Sequence, residues 1–188
     1  MPPTEDWLDV VDEHDRVVGR APRHEVHARG LRHRAVHVLV FNRAGDVFLQ
    51  KRSMHKDTAP GAWDSSASGH VDAGEDYDGC AARELREELG VAPSGNALRR
   101  WLHLPACAET GHEFVWVYRH ESEGPFTLPP AEIERGDWFA PAAVTRLVAD
   151  RPGEFAGSFR LVWRTLQELG QAPRGSKTMQ LNHGSPFG

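Results

Sequence analysis

Within RELREELG, residues 83 to 90, Glu84, Glu87 and Glu88 stand at positions i, i+3 and i+4, which on a helix share one face. Like charges four apart on a helix repel by a few tenths of a kcal/mol, so Glu84 and Glu88 weaken the isolated helix. A solvated acidic face would place a Lys or Arg four residues after each Glu. Here Arg83 and Arg86 are the nearby cations, and neither follows a Glu by four. A hard divalent cation relieves such crowding, because Mg²⁺ prefers oxygen ligands and takes one or two carboxylates, with water and substrate phosphate completing its shell. The trio is therefore read as a metal site, with a solvated acidic face as the alternative.

Extended towards the N-terminus, the stretch becomes GHVDAGEDYDGCAARELREELGV, from Gly69 to Val91. It fits G-x5-E-x7-R-E-U-x-E-E-x-G-U throughout, U being apolar, and it resembles the Nudix box of the Nudix hydrolases. Seven fixed identities at roughly 1 in 20 each make a chance match on the order of 10⁻⁹ per start position. The resemblance implies a Nudix-type αβα sandwich, an α/β fold with a mixed β-sheet between helices. It also implies Mg²⁺- or Mn²⁺-dependent hydrolysis of a diphosphate linkage in a nucleoside diphosphate-type or related organic diphosphate. Glu84 and Glu88 then correspond to the principal metal ligands, Glu87 to a further or second-ion ligand, and the Gly69 carbonyl to a backbone ligand. Arg83 and Glu75 correspond to a pair that locks loop to helix, a structural role. The reaction so implied is attack of water on phosphorus, with metal ions orienting substrate, acidifying the water and neutralising the leaving phosphate. The general base stays open between Glu84 and a carboxylate outside the box. Glu113, at the start of the strand-like EFVWVY, is the outside candidate, and its alternative is a solvated strand-end Glu. Lys51 and Arg52 end the strand leading to the box and are read either as ligands of a terminal phosphate or as an exposed strand-end pair.

Similarity runs beyond the box. VVDEHDRVVGRAPRHEVHARGLRHRAVHVLVFN and LQKRSMHKDTAPGAWDSSASGHV are similar to the Nudix branch that contains isopentenyl diphosphate isomerase and its hydrolase cousins. An isomerase is thus the rival enzyme. That enzyme protonates and deprotonates an alkene with a Cys just before the Gly-His that opens its box, where this chain has Ser68. A hydroxyl does not replace a thiol of pKa about 8.5 in that task without strong activation. The isomerase's Trp near the start of the last helix is matched by Ser158 and Phe159, with Trp163 close by. Hydrolysis is therefore favoured. The same resemblance sets His33, His70 and Glu113 at places matching a second metal site of histidines and glutamates in the isomerase. His27 joins them after a one-residue gap, and Gly111 stands where the isomerase has its other Glu; ordinary hydrogen-bonding histidines are the alternative. A ligand-sensing Nudix domain without turnover is the reading from another class. Such domains lose box carboxylates and carry a DNA-binding segment, whereas this chain keeps every box residue and shows neither a helix-turn-helix candidate nor a basic stripe.

Bringing these residues together requires strands ahead of the box and a helix within it. WLDVVDEHDRVVGRAP alternates around an EHD turn and predicts a hairpin of Trp7–Val11 with Arg16–Arg20, inside an N-terminal unit over residues 7–21. AVHVLVFNRAGDVFLQKR predicts two strands about an Asn-Arg-Ala-Gly turn, preceded by a His-rich link and followed by the turn-rich KDTAPGAWDSSASG. Asp76 is placed as the N-cap of a helix whose Tyr77, Ala81, Leu85 and Leu89 recur every four residues, and Gly90 supplies a left-handed stop. LRRWLHLPAC and HEFVWVYRHES predict two further strands, and GDWFAPAAVTRLV a strand entering a short helix. Phe155, Phe159, Val162, Leu166 and Leu169 form the apolar stripe of a last helix. Residues 171–188 carry few core residues and many breakers, which predicts a disordered tail and leaves 1–170 as one domain with the box at 69–91.

Composition narrows the partners. A chain of 188 residues, 39% hydrophobic and 26% charged, suits one globular domain. Its net charge of -5 gives no global basic field to hold nucleic acid, so an anionic substrate must be neutralised locally. The expected partner is a small-molecule diphosphate, with monomer and homodimer both open. Apolar runs stay short of the 18 residues that suggest a membrane span, and MPPTEDWLDV lacks a signal-peptide pattern, which makes the cytoplasm the default location. Cys80 and Cys107 match no metal spacing and no disulfide framework and are read as packing residues.

Overall fold

The computed structural model describes residues 6–94 and 97–171. Strands β1 (Trp7–Val11) and β2 (Val17–Pro22) pair antiparallel as a two-stranded sheet. The turn between them is built by Asp12, whose Oδ1 accepts from the backbone N–H of His14 and of Arg16, at 2.8 and 3.0 Å, so β2 starts one residue later than the alternation predicts. The stretch read as a link is instead a six-residue helix, α1 (Arg23–Ala28). Leu8, Ala21 and Val26 form a small core under this N-terminal unit.

The main sheet has seven strands: β3 (His33–Phe41), β4 (Val47–Arg52), β5 (Trp63–Asp64), β6 (Ala67–His70), β7 (Arg99–Leu104), β8 (Glu113–Glu121) and β9 (Ile133–Phe139). They run in the order β5-β4-β3-β8-β7, with β6 also pairing β3 and β9 also pairing β4. The β3–β8 pair is parallel and the others are antiparallel, so the sheet is mixed. Ala35, Leu39 and Phe41 of β3 belong to the core on one face, and Val36, Val38 and Val40 to the core on the other. Burial on both faces is why this strand reads as a near-continuous apolar run. Helix α2 (Tyr77–Leu89) covers one face through Cys80, Ala81, Leu85 and Leu89. Helices α3 (Pro141–Asp150) and α4 (Gly157–Glu168) cover the other. The result is the expected αβα sandwich.

Both ends of α2 obey their sequence signals: Asp76 Oδ1 accepts from Gly79 N at 2.7 Å, and Gly90 takes φ 69°. Other expectations are corrected. The Ser-rich stretch read as turns contains β5 and β6, because buried Ser66 ties strands together with its side chain, accepting from Val40 N and donating to the Phe48 carbonyl. On α4, Leu169 is exposed at the helix end, and fully buried Trp163 takes its place in the core. Cys80 packs as expected, whereas Cys107 is exposed. The tail expectation falls on residues 172–188, outside the described residues, apart from Gln171.

Candidate active site

Strand β6 and helix α2 meet at the box. Gly69 pairs with Val36 of β3, and the buried Glu84 side chain abuts its backbone so closely that a Cβ at Gly69 would stand 1.9 Å from Glu84 Oε1. Glycine alone fits there. One helical turn on, Glu88 Oε2 accepts from Ser68 N at 3.0 Å and from Gln50 Nε2 at 2.8 Å. Gln50 is itself buried in β4, so the sheet fixes Glu88 from two sides. Glu87 faces outward, its side chain 58% exposed.

Arg83 spans the box. Its Nε and Nη2 donate to the two oxygens of Glu75 at 3.0 and 2.9 Å, a bidentate pair joining loop to helix. Nη2 also donates to the His70 carbonyl at 3.0 Å, while Nη1 donates to Glu84 Oε1 at 2.8 Å and Glu87 Oε2 at 3.2 Å. A cation four residues before Glu87 therefore sits between two of the three carboxylates and offsets part of their repulsion. Counting only cations that follow a Glu misses it.

Burial, followed by the charge of Glu88, pushes the Glu84 carboxyl up to about 8 against the opposing effect of Arg83. Burial likewise pushes Glu88 up to about 7, resisted by its bonds from Ser68 and Gln50. Two carboxyls this reluctant to ionise, one of them seated in a gap that only glycine leaves, make an all-oxygen donor set that a hard cation fits.

A second group lies around His70, the residue after Gly69 and the last of β6. His27, His33 and His70 place ring nitrogens within 4.8 Å of one another, and Glu113 Oε1 lies 3.1 Å from His70 Nε2 and 3.4 Å from His33 Nε2. His33 Nδ1 sits 2.8 Å from the Leu31 carbonyl, which can only accept, so Nδ1 carries the proton and Nε2 of the neutral ring presents a lone pair. That Nε2 is buried without a hydrogen-bond partner. Burial, with His70 and His33 beside it, lowers His27 to about 4. Burial would raise Glu113, but the imidazoles of His33 and His70 beside it outweigh that and hold the carboxyl well below the usual carboxylate range. Glu113, the outside candidate for the general base, thus lies within the histidine group, 3.1 Å from His70 and 3.4 Å from His33.

Arg52 donates through Nε and Nη2 to the Thr58 carbonyl and hydroxyl, at 3.0 and 3.2 Å, and through Nη1 to buried Asp64 at 3.1 Å. It braces the turn ahead of β5 and is not the exposed strand-end cation of the alternative reading. Lys51 lies 3.8 Å from Glu134, with its side chain 28% exposed. Buried His37, its Nδ1 2.8 Å from Ser65 Oγ, lines a small hollow of about 10 Å³ against α4 together with Thr110, Glu113 and Ser158.

A sequence model of the NUDIX domain matches residues 31–175. The chain belongs to the Nudix family. It is 37% identical over 142 residues to an uncharacterized Nudix hydrolase of Yersinia pestis, spanning 74% of this chain and 76% of that one. An uncharacterized Nudix hydrolase of Streptomyces coelicolor is 38% identical over 175 residues, spanning 84% of this chain and 97% of its own. Among solved structures, DR0079 from Deinococcus radiodurans superposes with a TM-score of 0.77 at 29% identity, covering 85% of this chain and 98% of that one. The protein is thus a Nudix hydrolase. Among its described residues no helix is long and apolar enough to cross a membrane. Within this Nudix hydrolase, Gln50 and the Ser68 N–H hold Glu88, a task that sequence reading did not assign. The one available signal was a lone Gln among the apolar residues of VFLQKR.

Proposed function

We propose that this Nudix hydrolase cleaves the diphosphate linkage of a nucleoside diphosphate-type or related organic diphosphate, with Mg²⁺ or Mn²⁺ held by Glu84, Glu88 and the Gly69 carbonyl. The observation that carries the reading is buried Glu84 seated against Gly69, with Glu88 fixed beside it by Ser68 and Gln50. When bound, the metal would supply Lewis-acid chemistry, orienting the diphosphate, acidifying the attacking water and neutralising the leaving phosphate. The chain does the rest. Glu75 and Arg83 hold loop and helix together, and exposed Glu87 is placed to engage a further ion. Glu84, buried against Gly69 beside the proposed metal position, is our candidate to take the proton from the attacking water. The test is a panel of diphosphates, incubated with Mg²⁺ or Mn²⁺ in ¹⁸O-labelled water, with mass analysis of both products. Label in one phosphate product is expected; a panel that yields no metal-dependent cleavage overturns the reading.

The alternative within the isomerase-like branch lacks its chemistry here. Ser68 stands at the thiol position with its N–H committed to Glu88, and Phe159 and Trp163 are fully buried, the Trp163 indole donating to Thr145 Oγ1 at 3.2 Å. Neither ring is available to stabilise a carbocation. The protein is expected not to interconvert isopentenyl and dimethylallyl diphosphates, and Ser68→Cys is expected not to confer the activity. Deuterium uptake into recovered allylic product by either protein would show otherwise.

We also infer that His27, His33, His70 and Glu113 bind a transition-metal cation such as Zn²⁺, whose imidazole and carboxylate preferences match this set. The buried, unpartnered Nε2 of His33 supports it. Metal analysis is expected to find about one equivalent of zinc per chain, and His33→Ala is expected to lose it while keeping Mg²⁺-dependent thermal stabilisation. Wild-type protein that takes up no zinc, and no cobalt by visible absorption, would refute the site.

A further inference from the structure

The loop of the box, residues 71–76, joins β6 to α2. Arg83 and Glu75 tie it from within, and the N-terminal hairpin grips it from without. Leu8 of β1 makes an antiparallel bridge with Asp72, and Ala73 N donates to the Trp7 carbonyl at 2.8 Å. Gly74 N donates to Asp9 Oδ2 at 2.9 Å, while Asp9 Oδ1 accepts from Arg20 Nε at 2.9 Å. Asp9 is 5% exposed. At the helix end of the loop, Tyr77 OH donates to Asp15 Oδ2 at 2.9 Å, and Arg34 Nε donates to Asp15 Oδ1 at 2.6 Å.

Gly74 sits at φ 84°, a left-handed conformation open to glycine without a Cβ penalty, and its N–H points at the hairpin's carboxylate. A neutral acceptor would satisfy its N–H; a buried carboxylate is costly to desolvate but binds an N–H more tightly. The hairpin thus places its strongest available acceptor, two residues from the chain's own β1 start, on the loop that follows Gly69 and His70. A loop held at both ends fixes where β6 hands over to α2, and so where Glu84 meets Gly69.

We infer that Asp9 is a positioning residue for metal binding at the box, acting through Gly74 N and the loop backbone. This rests on the hydrolase reading above. Misplacement on the order of 1 Å costs a preorganised site up to about 10²-fold, so a loosened loop is read most directly as weakened metal affinity.

The experiment titrates Mn²⁺ against turnover and against melting temperature in the full chain, and follows amide hydrogen exchange at Gly74. Asp9→Ala is expected to speed Gly74 exchange and to raise the half-saturating Mn²⁺ by about 10-fold, with KM for the diphosphate at saturating Mn²⁺ changed by less than about twofold. Asp9→Asn, which keeps one acceptor and loses the charge, is expected at about threefold. Val26→Ala weakens the same N-terminal unit from its small core with Leu8 and Ala21, away from the loop; it is expected to lower the melting temperature and leave Mn²⁺ half-saturation unchanged. Metal response identical to wild type in Asp9→Asn together with unchanged Gly74 exchange overturns the inference, even if Asp9→Ala fails to fold. An equal shift in Val26→Ala overturns it too, since any loss of stability in the N-terminal unit would then suffice. A wild type that shows no Mn²⁺ response at all fails the hydrolase reading instead, and the functional half of the inference falls with it.

Discussion

Glu84→Gln and Glu88→Gln are each expected to lose turnover by about 10² or more, because both metal positioning and water activation suffer. Glu87→Gln, altering an outward side chain, should lose less, and exposed Glu121→Gln almost nothing. Melting in the absence of metal should move the other way. Glu84 and Glu88 have native carboxyls raised to about 8 and about 7 from 4.5. Across that window the unfolded chain sheds protons that the native state retains, so ionisation here opposes folding as pH rises from about 4.5 to about 8. The metal-free protein should therefore be unchanged or slightly stabilised by Glu88→Gln near pH 8, with the gain fading towards pH 5. Protons and metal compete for the same oxygens, so stabilisation by Mg²⁺ in the wild type should grow from pH 6 to pH 8. A solvated acidic face predicts none of this: rates equal across the four variants, with melts indifferent to metal, would sink the metal reading.

What the sequence discloses follows from how local each cause is. The caps Asp76 and Gly90 and the four-residue apolar recurrence of α2 act within one or two turns, and they appear in the structure at the residues that carry them. The Gly69–Glu84 seat was legible as a motif, while the reason for the glycine, a side chain pressed against its backbone, needed coordinates. Strands β5 and β6 escaped notice because Asp64, Ser65 and Ser66 are buried polar residues whose hydrogen bonds run to partners on other strands. Composition marks such a stretch as a turn. The bracing role of Arg52 was hidden for the same reason, since its partner Asp64 is a buried carboxylate in that stretch. The grip of Asp9 on Gly74 joins residues 65 apart, and no local pattern announces it. Histidines 27, 33 and 70 were named from resemblance, but the unpartnered nitrogen of His33 and the convergence of the three rings exist only in three dimensions.

Gly69→Ala tests the seat itself. A methyl group there would stand 1.9 Å from Glu84 Oε1, 2.2 Å from Cδ and 2.8 Å from Oε2, distances that no side chain tolerates, so something must shift. Strand β6 is pinned by its register with β3 and by the Ser68 N–H on Glu88, which leaves the Glu84 side chain to move. Gly69 is not among the described glycines with positive φ, so alanine fits the backbone and the substitution reports on space alone. The expected result is a folded protein whose turnover falls by about 10² or more and whose Mg²⁺-dependent stabilisation is largely lost. Adding Glu84→Asp, which draws the carboxylate back by one methylene, should recover about tenfold of that loss if the site fails by steric displacement. Gly136→Ala is the matched control, because a Cβ there would meet Phe48 Cζ at 2.0 Å, in a cluster of aromatic rings with Phe126 and Trp138. Overpacking of that cluster should cost about 1–3 kcal/mol of stability and leave the response to Mg²⁺ intact. Turnover by Gly69→Ala equal to wild type would mean that Glu84 works from a position other than the one it occupies against β6.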